Sequence, residues 1–261
     1  MALKVAGSQY LEILDDLARR AGEITLEYFQ TDKLELEIKA DESPVTIADK
    51  KTEEFLRAEI ERLFPGDAVL GEEYGETPLG SSGRRWILDP IDGTKAYAAG
   101  CPIYGVMIGL EINGRLDAGV VNMPALGEVV AAERGYGCWW NGRRTGVSKV
   151  DKLEQSIVLT TDPLRPYRQG VGELWDKISQ PARLVRTWGD CYGHLMVATG
   201  RAEVMMDPIM APWDCAAVLP IVEEAGGTFR DFSNKSTAFG GAAVSTNSIL
   251  WPTIQPWLPQ P

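Results

Sequence analysis

The sequence predicts a mixed fold in which an α+β first half runs into an α/β second half. Apolar residues recur at helical spacing near the N-terminus, and short strands separated by turn dipeptides follow between Trp86 and Trp140. From about Val150 strands alternate with helices. The expected division is residues 1–145, an antiparallel-sheet α+β subdomain, and residues 146–261, an α/β subdomain. A chain of 261 residues suits one large domain or two intimate subdomains and can bury a substantial core.

Between Tyr10 and Phe29, Leu11, Leu14, Leu17, Ala18, Ala21, Ile24 and Tyr28 fall at three- and four-residue steps, which predicts an amphipathic helix. Leu34 to Lys39 alternates with a period of two, as a strand does. A second helix begins near Thr46, where Thr46 and Asp49 form a capping box, and ends at Pro65-Gly66; Phe55, Leu56, Ile60 and Leu63 are its apolar face. Strands are expected at Trp86–Leu88, Ile103–Glu111, Arg115–Met123, Glu128–Glu133 and Tyr136–Trp140, with Asn113-Gly114 as a hairpin turn. In the second half, strands near Ile157 and Leu184 alternate with helices at Gly193–Thr199 and Cys215–Ala225. Pro220 bends the latter helix and Gly226-Gly227 stops it. The Pro-rich segment from Trp251 to Pro261 reads as extended.

Composition excludes several function classes. Apolar content of 44% and charged content of 24% are those of a folded soluble domain. No apolar run is long enough to span a membrane and the N-terminus lacks a signal core, so the expected location is the cytoplasm. A net charge of -11 repels a nucleic-acid backbone, yet a bound divalent cation could reverse the sign of an acidic pocket and admit a small phosphate ester. Cys101, Cys138, Cys191 and Cys215 have no zinc-site spacing and read as reduced thiols. His194 is the only histidine, so hydrolytic chemistry must lean on carboxylates.

The most informative segment is Trp86 to Thr94, an apolar strand leading into Asp89-Pro90-Ile91-Asp92-Gly93-Thr94. If the chain bends at Pro90-Ile91, both aspartates turn toward one point, an arrangement that is costly without a cation between them. Gly93 and Thr94 then offer amides to an anion. An ordinary Asp-Pro-Gly turn is the competing reading. Glu72 in Gly71-Glu72-Glu73 repeats the pattern of carboxylates after a short strand, Ala68-Val69-Leu70. Asp214 precedes an apolar helix and reads locally as its N-cap.

Taken in order, Ser43-Pro44-Val45-Thr46-Ile47-Ala48-Asp49, Gly71-Glu72-Glu73, Trp86 to Thr94, and Trp213-Asp214 with Glu224-Ala225-Gly226-Gly227 make the chain resemble the inositol monophosphatase superfamily over nearly its full length. The resemblance implies a layered αβαβα sandwich, a homodimer and metal-dependent phosphomonoester hydrolysis. It implies that Glu72, Asp89, Asp92, Asp214 and the carbonyl of Ile91 bind magnesium. It also implies that Asp49 and Thr94 orient the attacking water, with Glu72 assisting, and that the Gly93 and Thr94 amides hold the phosphate. All-oxygen donors suit magnesium, with manganese as a substitute.

Two other phosphatase signatures fail. Cys138 to Arg144, followed by Thr145, has the C-x5-R-[ST] spacing of cysteine-dependent phosphatases, but Trp139-Trp140-Asn141-Gly142 reads as a strand and turn rather than a phosphate loop. Aspartate-nucleophile phosphatases need acids at i and i+2, whereas Asp89 and Asp92 stand at i and i+3. For the substrate, Gly189-Asp190-Cys191-Tyr192-Gly193 and Lys95-Ala96-Tyr97 resemble the histidinol-phosphatase branch. The implied reaction is hydrolysis of L-histidinol phosphate in histidine biosynthesis. A carboxylate at Asp190 can pair with the ammonium or imidazole of that ester, and Asp207 is a candidate second acidic contact. Asp190 also reads as the N-cap of the helix that follows it, and His194 as a packing or surface residue. A broad inositol-1-phosphatase is the alternative. Bisphosphate substrates are disfavoured because no basic patch suits a second phosphate. A non-catalytic regulator on the same fold is the alternative of another class, and the complete ligand set argues against it.

Overall fold

The structure is a computed structural model that describes residues 3–32, 34, 36–38 and 44–259. Helix α1 (Leu11–Tyr28) follows the predicted periodicity. The residues just before it are held from across the molecule, where Glu133 accepts from Ser8 Oγ, Gln9 N and Tyr10 N, and Leu11 N donates to Ser8 Oγ. Strands β1 (Leu36–Ile38) and β2 (Pro44–Thr46) pair antiparallel. Glu35, Lys39 and Ser43, which the sequence reading included, lie outside the described residues. Helix α2 (Ile47–Leu63) opens with the expected capping box: Thr46 Oγ1 accepts from Ala48 N and Asp49 N, and Asp49 Oδ2 accepts from Thr46 N at 2.7 Å.

Strands β3 (Ala68–Gly71) and β4 (Gly75–Glu76) precede β5 (Arg84–Asp92) and the short helix α3 (Thr94–Ala98). Then come β6 (Gly105–Ile112), β7 (Arg115–Met123), β8 (Glu128–Glu133), β9 (Gly137–Trp140) and β10 (Arg143–Thr145). Strands β3 to β10 form one sheet in the order β10-β9-β8-β7-β6-β5-β3-β4. Asn113 and Gly114 both have positive φ, the conformation that a tight hairpin between β6 and β7 demands. The sheet is antiparallel except that β3 runs parallel to β5, which sets the ends carrying Gly71 and Leu88 side by side.

The second sheet has the order β12-β11-β13-β15-β14. The elements of this half, in chain order, are β11 (Ile157–Leu159), α4 (Arg165–Arg168), α5 (Gly172–Ser179), β12 (Leu184–Arg186), α6 (Asp190–Ala198) and β13 (Val204–Asp207), then α7 (Pro212–Ala216), α8 (Val218–Glu224), β14 (Thr228–Arg230), β15 (Ala243–Thr246) and α9 (Trp251–Ile254). Two expectations are corrected here. The helix expected from Cys215 to Ala225 is two helices, α7 and α8, because the Pro220 ring cannot follow the carbonyl of Ala216 in a continuous helix. The C-terminal segment is helical from Trp251 to Trp257 rather than extended, with Pro252 and Pro256 in first-turn positions, where the missing N–H costs nothing; Gln260 and Pro261 lie outside the described residues.

The layers follow from which faces are buried. Helices α1 and α2 cover Trp86, Leu88, Val106, Ile108, Leu110 and Val120 on one face of the large sheet. Helices α6, α7 and α8 lie between its other face, with Ile87, Met107, Val121 and Val130, and the second sheet, which contributes Phe229 and Ala243. Helices α5 and α9 close the far face over Val158, Val204, Met206 and Val244. The result is an αβαβα sandwich. The α7–α8 junction lies directly on the large sheet, since a Cβ on Gly109 would stand 2.7 Å from the backbone of Ala216 and one on Gly119 would meet Ala217. No helix among the described residues is long and apolar enough to cross a membrane.

Candidate metal centre and the cavity around it

The site grows from the end of β5. Trp86, Ile87 and Leu88 are fully buried between the helix layers, which makes the strand a rigid support. Its register with β6 then slips: Asp89 faces Met107 and Asp92 faces Gly105, so three steps along β5 match two along β6. This bulge at Pro90-Ile91 brings two carboxylates, otherwise on opposite faces, toward one point. Asp89 Oδ1 accepts from Ile91 N at 3.0 Å, and Asp92 Oδ2 accepts from Cys191 N at 2.5 Å at the start of α6. Gly93, with φ of 84°, turns the chain into α3, and Thr94 Oγ1 donates to the carbonyl of Ile91 at 3.0 Å.

Asp214 reaches the same point from the middle layer. It is the third residue of α7 rather than the expected N-cap, and its Oδ2 accepts from Ala211 N at 2.8 Å. One oxygen each of Asp89, Asp92 and Asp214 lie within 4.8 Å of one another. Glu72 lines the same cavity. The turn that carries it is held by Glu53, a fully buried carboxylate that accepts from Glu73 N at 2.8 Å and Tyr74 N at 3.2 Å and pairs with Arg57. Gly71 leaves room for that carboxylate, which a side chain there would strike. Sequence reasoning missed Glu53. The available signal was its place on the stripe Asp49, Thr52, Glu53, Leu56, Ile60, the face that α2 buries.

Crowding and burial set the electrostatics. Burial pushes the carboxyl of Asp89 well above the usual range, with the charges of Glu72, Asp92 and Asp214 adding to it. The same holds for Asp92, where the nearest added charges are Asp190 and Asp214. Asp214 is pushed up to about 7 by burial, against the bond from Ala211 N and with help from Glu72 and Asp190. Such a cluster is relieved by a hard cation, and its all-oxygen donor set fits a divalent ion of that kind. Asp49 does not line the cavity, although the charges of Glu73 and Glu72 act on it. Its Oδ2 is taken by Thr46, its buried Oδ1 has no partner among the described residues, and burial raises its carboxyl to about 7.

The cavity at this cluster measures about 510 Å³, and its rim also carries Lys95, Thr161, Arg165, Thr187 and Asp190. Asp190 is the first residue of α6, not its N-cap, and has a left-handed φ of 51°. Its Oδ2 stands 3.3 Å from where a Cβ on Gly93 would be, next to the Gly93-Thr94 turn. Burial raises its carboxyl while the charges of Arg165 and Lys95 oppose the rise. Two cations therefore do face the cavity, contrary to the expectation of no basic patch. Asp207 is placed behind the wall: it is buried, and both its oxygens accept from Thr161, at 3.0 Å from N and 2.6 Å from Oγ1. Burial brings its carboxyl to about 7. His194 is buried on α6 with Nδ1 against Ser245 Oγ at 2.7 Å, and burial lowers its pKa to about 3. Cys138 lies buried in β9 with its thiol pushed up to about 12 by that burial, which disposes of the C-x5-R reading.

Comparison with known proteins agrees with this architecture. The model of the inositol monophosphatase family matches residues 7–258. A histidinol-phosphatase from Chlorobaculum parvum is 47% identical over 241 residues, covering 92% of this chain and 93% of the relative. A histidinol-phosphatase from Mycobacterium tuberculosis is 36% identical over 239 residues, covering 90% and 92%. Among solved structures, the extragenic suppressor protein suhB from Bartonella henselae superimposes with a TM-score of 0.89 at 27% identity, covering 97% of this chain and 99% of the other.

Proposed function

The chain belongs to the inositol monophosphatase family and is a phosphoric monoester hydrolase, and from that premise we propose that it hydrolyses L-histidinol phosphate to L-histidinol and phosphate. The observation that carries the choice of substrate is the Asp190 carboxylate beside the Gly93-Thr94 turn. Histidinol phosphate carries an ammonium on the carbon next to its phosphorylated methylene, close to the phosphate dianion. Asp190 supplies the opposite charge for the first, and the amides of Gly93 and Thr94 next to the cluster supply donors for the second. Inositol offers only neutral hydroxyls, with which Asp190 could form no ion pair. The identity to histidinol-phosphatases supports the same reading.

In this proposal Glu72, Asp89, Asp92, Asp214 and the carbonyl of Ile91 hold magnesium, with manganese as a substitute. Bound there, the ion supplies a water of lowered pKa and countercharge for the phosphoryl and leaving oxygens. The chain's own part is orientation. Asp49 Oδ1, unpartnered and buried, offers an acceptor for the attacking water. Thr94 Oγ1, having given its proton to Ile91 O, offers another. The protein would act in the cytoplasm as a homodimer, in the histidine-biosynthesis step that yields histidinol. Phosphate release from purified protein with L-histidinol phosphate and inositol 1-phosphate tests the assignment. A higher kcat/KM is expected for the first, and a preference for inositol 1-phosphate would overturn it.

A further inference from the structure

Asp207 touches neither the cavity nor the three-aspartate cluster, yet it is tied to Asp190 by a short chain of bonds. Thr161 Oγ1 gives its single proton to Asp207 Oδ2 at 2.6 Å, and its lone pairs accept from Asp190 N at 2.8 Å. Asp207 Oδ1 fixes the same residue again, accepting from Thr161 N at 3.0 Å and from Thr160 Oγ1 at 3.4 Å. Gly189 permits the approach, since a Cβ there would run into Thr161. Asp190 adopts a φ of 51°, a left-handed conformation that Asp tolerates better than most L-residues. That φ directs the chain so that the next amide, Cys191 N, meets Asp92. The first turn of α6 is thus held from two sides, by Asp207 through Thr161 and by Asp92 directly.

We propose that Asp207 and Thr161 are positioning residues for substrate selection, fixing the Asp190 carboxylate where it meets the cationic group of the substrate. This rests on the reading of Asp190 given above. Asp207 orients Thr161 rather than touching the ester. An amide at position 207 would reverse the polarity, because its NH2 would donate to Thr161 Oγ1 and leave the hydroxyl proton without its acceptor.

The test is the ratio of kcat/KM for L-histidinol phosphate to that for glycerol 2-phosphate, an ester without a cation, measured in magnesium buffer. Asp190→Asn is expected to lower the ratio about tenfold, through KM for the cationic ester. Asp207→Asn and Thr161→Val are each expected to lower it by about three- to tenfold, and Thr161→Ser to restore it. In an Asp190→Asn background, Asp207→Asn should change the ratio no further, because it acts through Asp190. An equal further loss in that background would mean direct contact by Asp207 and would overturn the proposal. So would a ratio unmoved by both Asp207→Asn and Thr161→Val; the latter also serves if Asp207→Asn does not fold. If Asp190→Asn itself leaves the ratio unchanged, the reading of Asp190 fails and this inference with it; a fall with Asp190→Asn alone removes only the inference.

Discussion

Replacing Asp92 by Asn should stabilise the metal-free protein while abolishing its activity. Asp92 stands within 4.8 Å of both Asp89 and Asp214. At an effective dielectric of roughly 20, one such pair of charges repels by about 3.5 kcal/mol, so Asp92 accounts for about 7 kcal/mol when all three groups are ionised. Part of that is never realised, because the carboxyls respond by holding protons and the cavity admits water. A net gain on the order of 1–2 kcal/mol follows for Asp92→Asn, or about 2–8 °C in Tm. The amide keeps the acceptor for Cys191 N, so the fold loses no bond. The pH dependence has a definite sign. Burial and crowding raise these carboxyls above their unfolded values, with Asp214 at about 7. Between about pH 4 and pH 7 the folded state therefore binds more protons than the unfolded one, and stability falls as pH rises. The advantage of Asp92→Asn is then largest near pH 8 and shrinks toward pH 5. Thermal melts in EDTA at both pH values, repeated in excess magnesium, measure this. Magnesium should stabilise the parent chain and leave the variant nearly unmoved. A variant less stable than the parent at pH 8 in EDTA, or one that keeps its turnover, would refute the reasoning.

Other substitutions probe the supports of the site. Glu53→Gln weakens the hold on the Glu73 and Tyr74 amides and removes the charge that faces Arg57. The magnesium concentration for half-maximal activity should rise by about ten- to a hundredfold, read from a metal titration of phosphate release. Gly109→Ala places a Cβ 2.7 Å from the Ala216 backbone, which displaces α7 and Asp214. It should cost about 1–3 kcal/mol in urea unfolding and lower kcat. Arg201, paired with Glu128 at 2.8 Å and lying 4.4 Å over the Trp140 ring, ties the segment after α6 to the large sheet and does not line the cavity. Arg201→Ala should lower stability by about 1–2 kcal/mol while KM for the ester stays as in the parent.

Helices α1 and α2 and the central strands of the first sheet were legible because their signals are local. The stripe from Leu11 to Tyr28, the Thr46–Asp49 capping box and the Asn113-Gly114 turn depend on spacings of two to four residues, and the structure keeps them. Strands β13 and β15 were not anticipated. Both are buried along their whole length, so they lack the alternation that marks a half-exposed strand. The parallel pairing of β3 with β5 left no trace in either strand, since direction is a property of the pair.

The sequence alone predicts an acidic cluster at the end of β5. Asp89 and Asp92 around a bend, with Gly93 and Thr94 after it, predicted converging carboxylates, and the bulge in β5 supplies the bend. What a carboxylate does depends on what surrounds it, and that is set by the packing of the layers. It brought Asp214 to Asp89 from a different layer, made Glu53 the hidden anchor of the Glu72 turn, and set Asp207 behind Thr161 instead of in the cavity. The sequence marks all of these simply as acids. Burial, and the partner each oxygen finds across the fold, separate those that converge on one point from those that hold the wall.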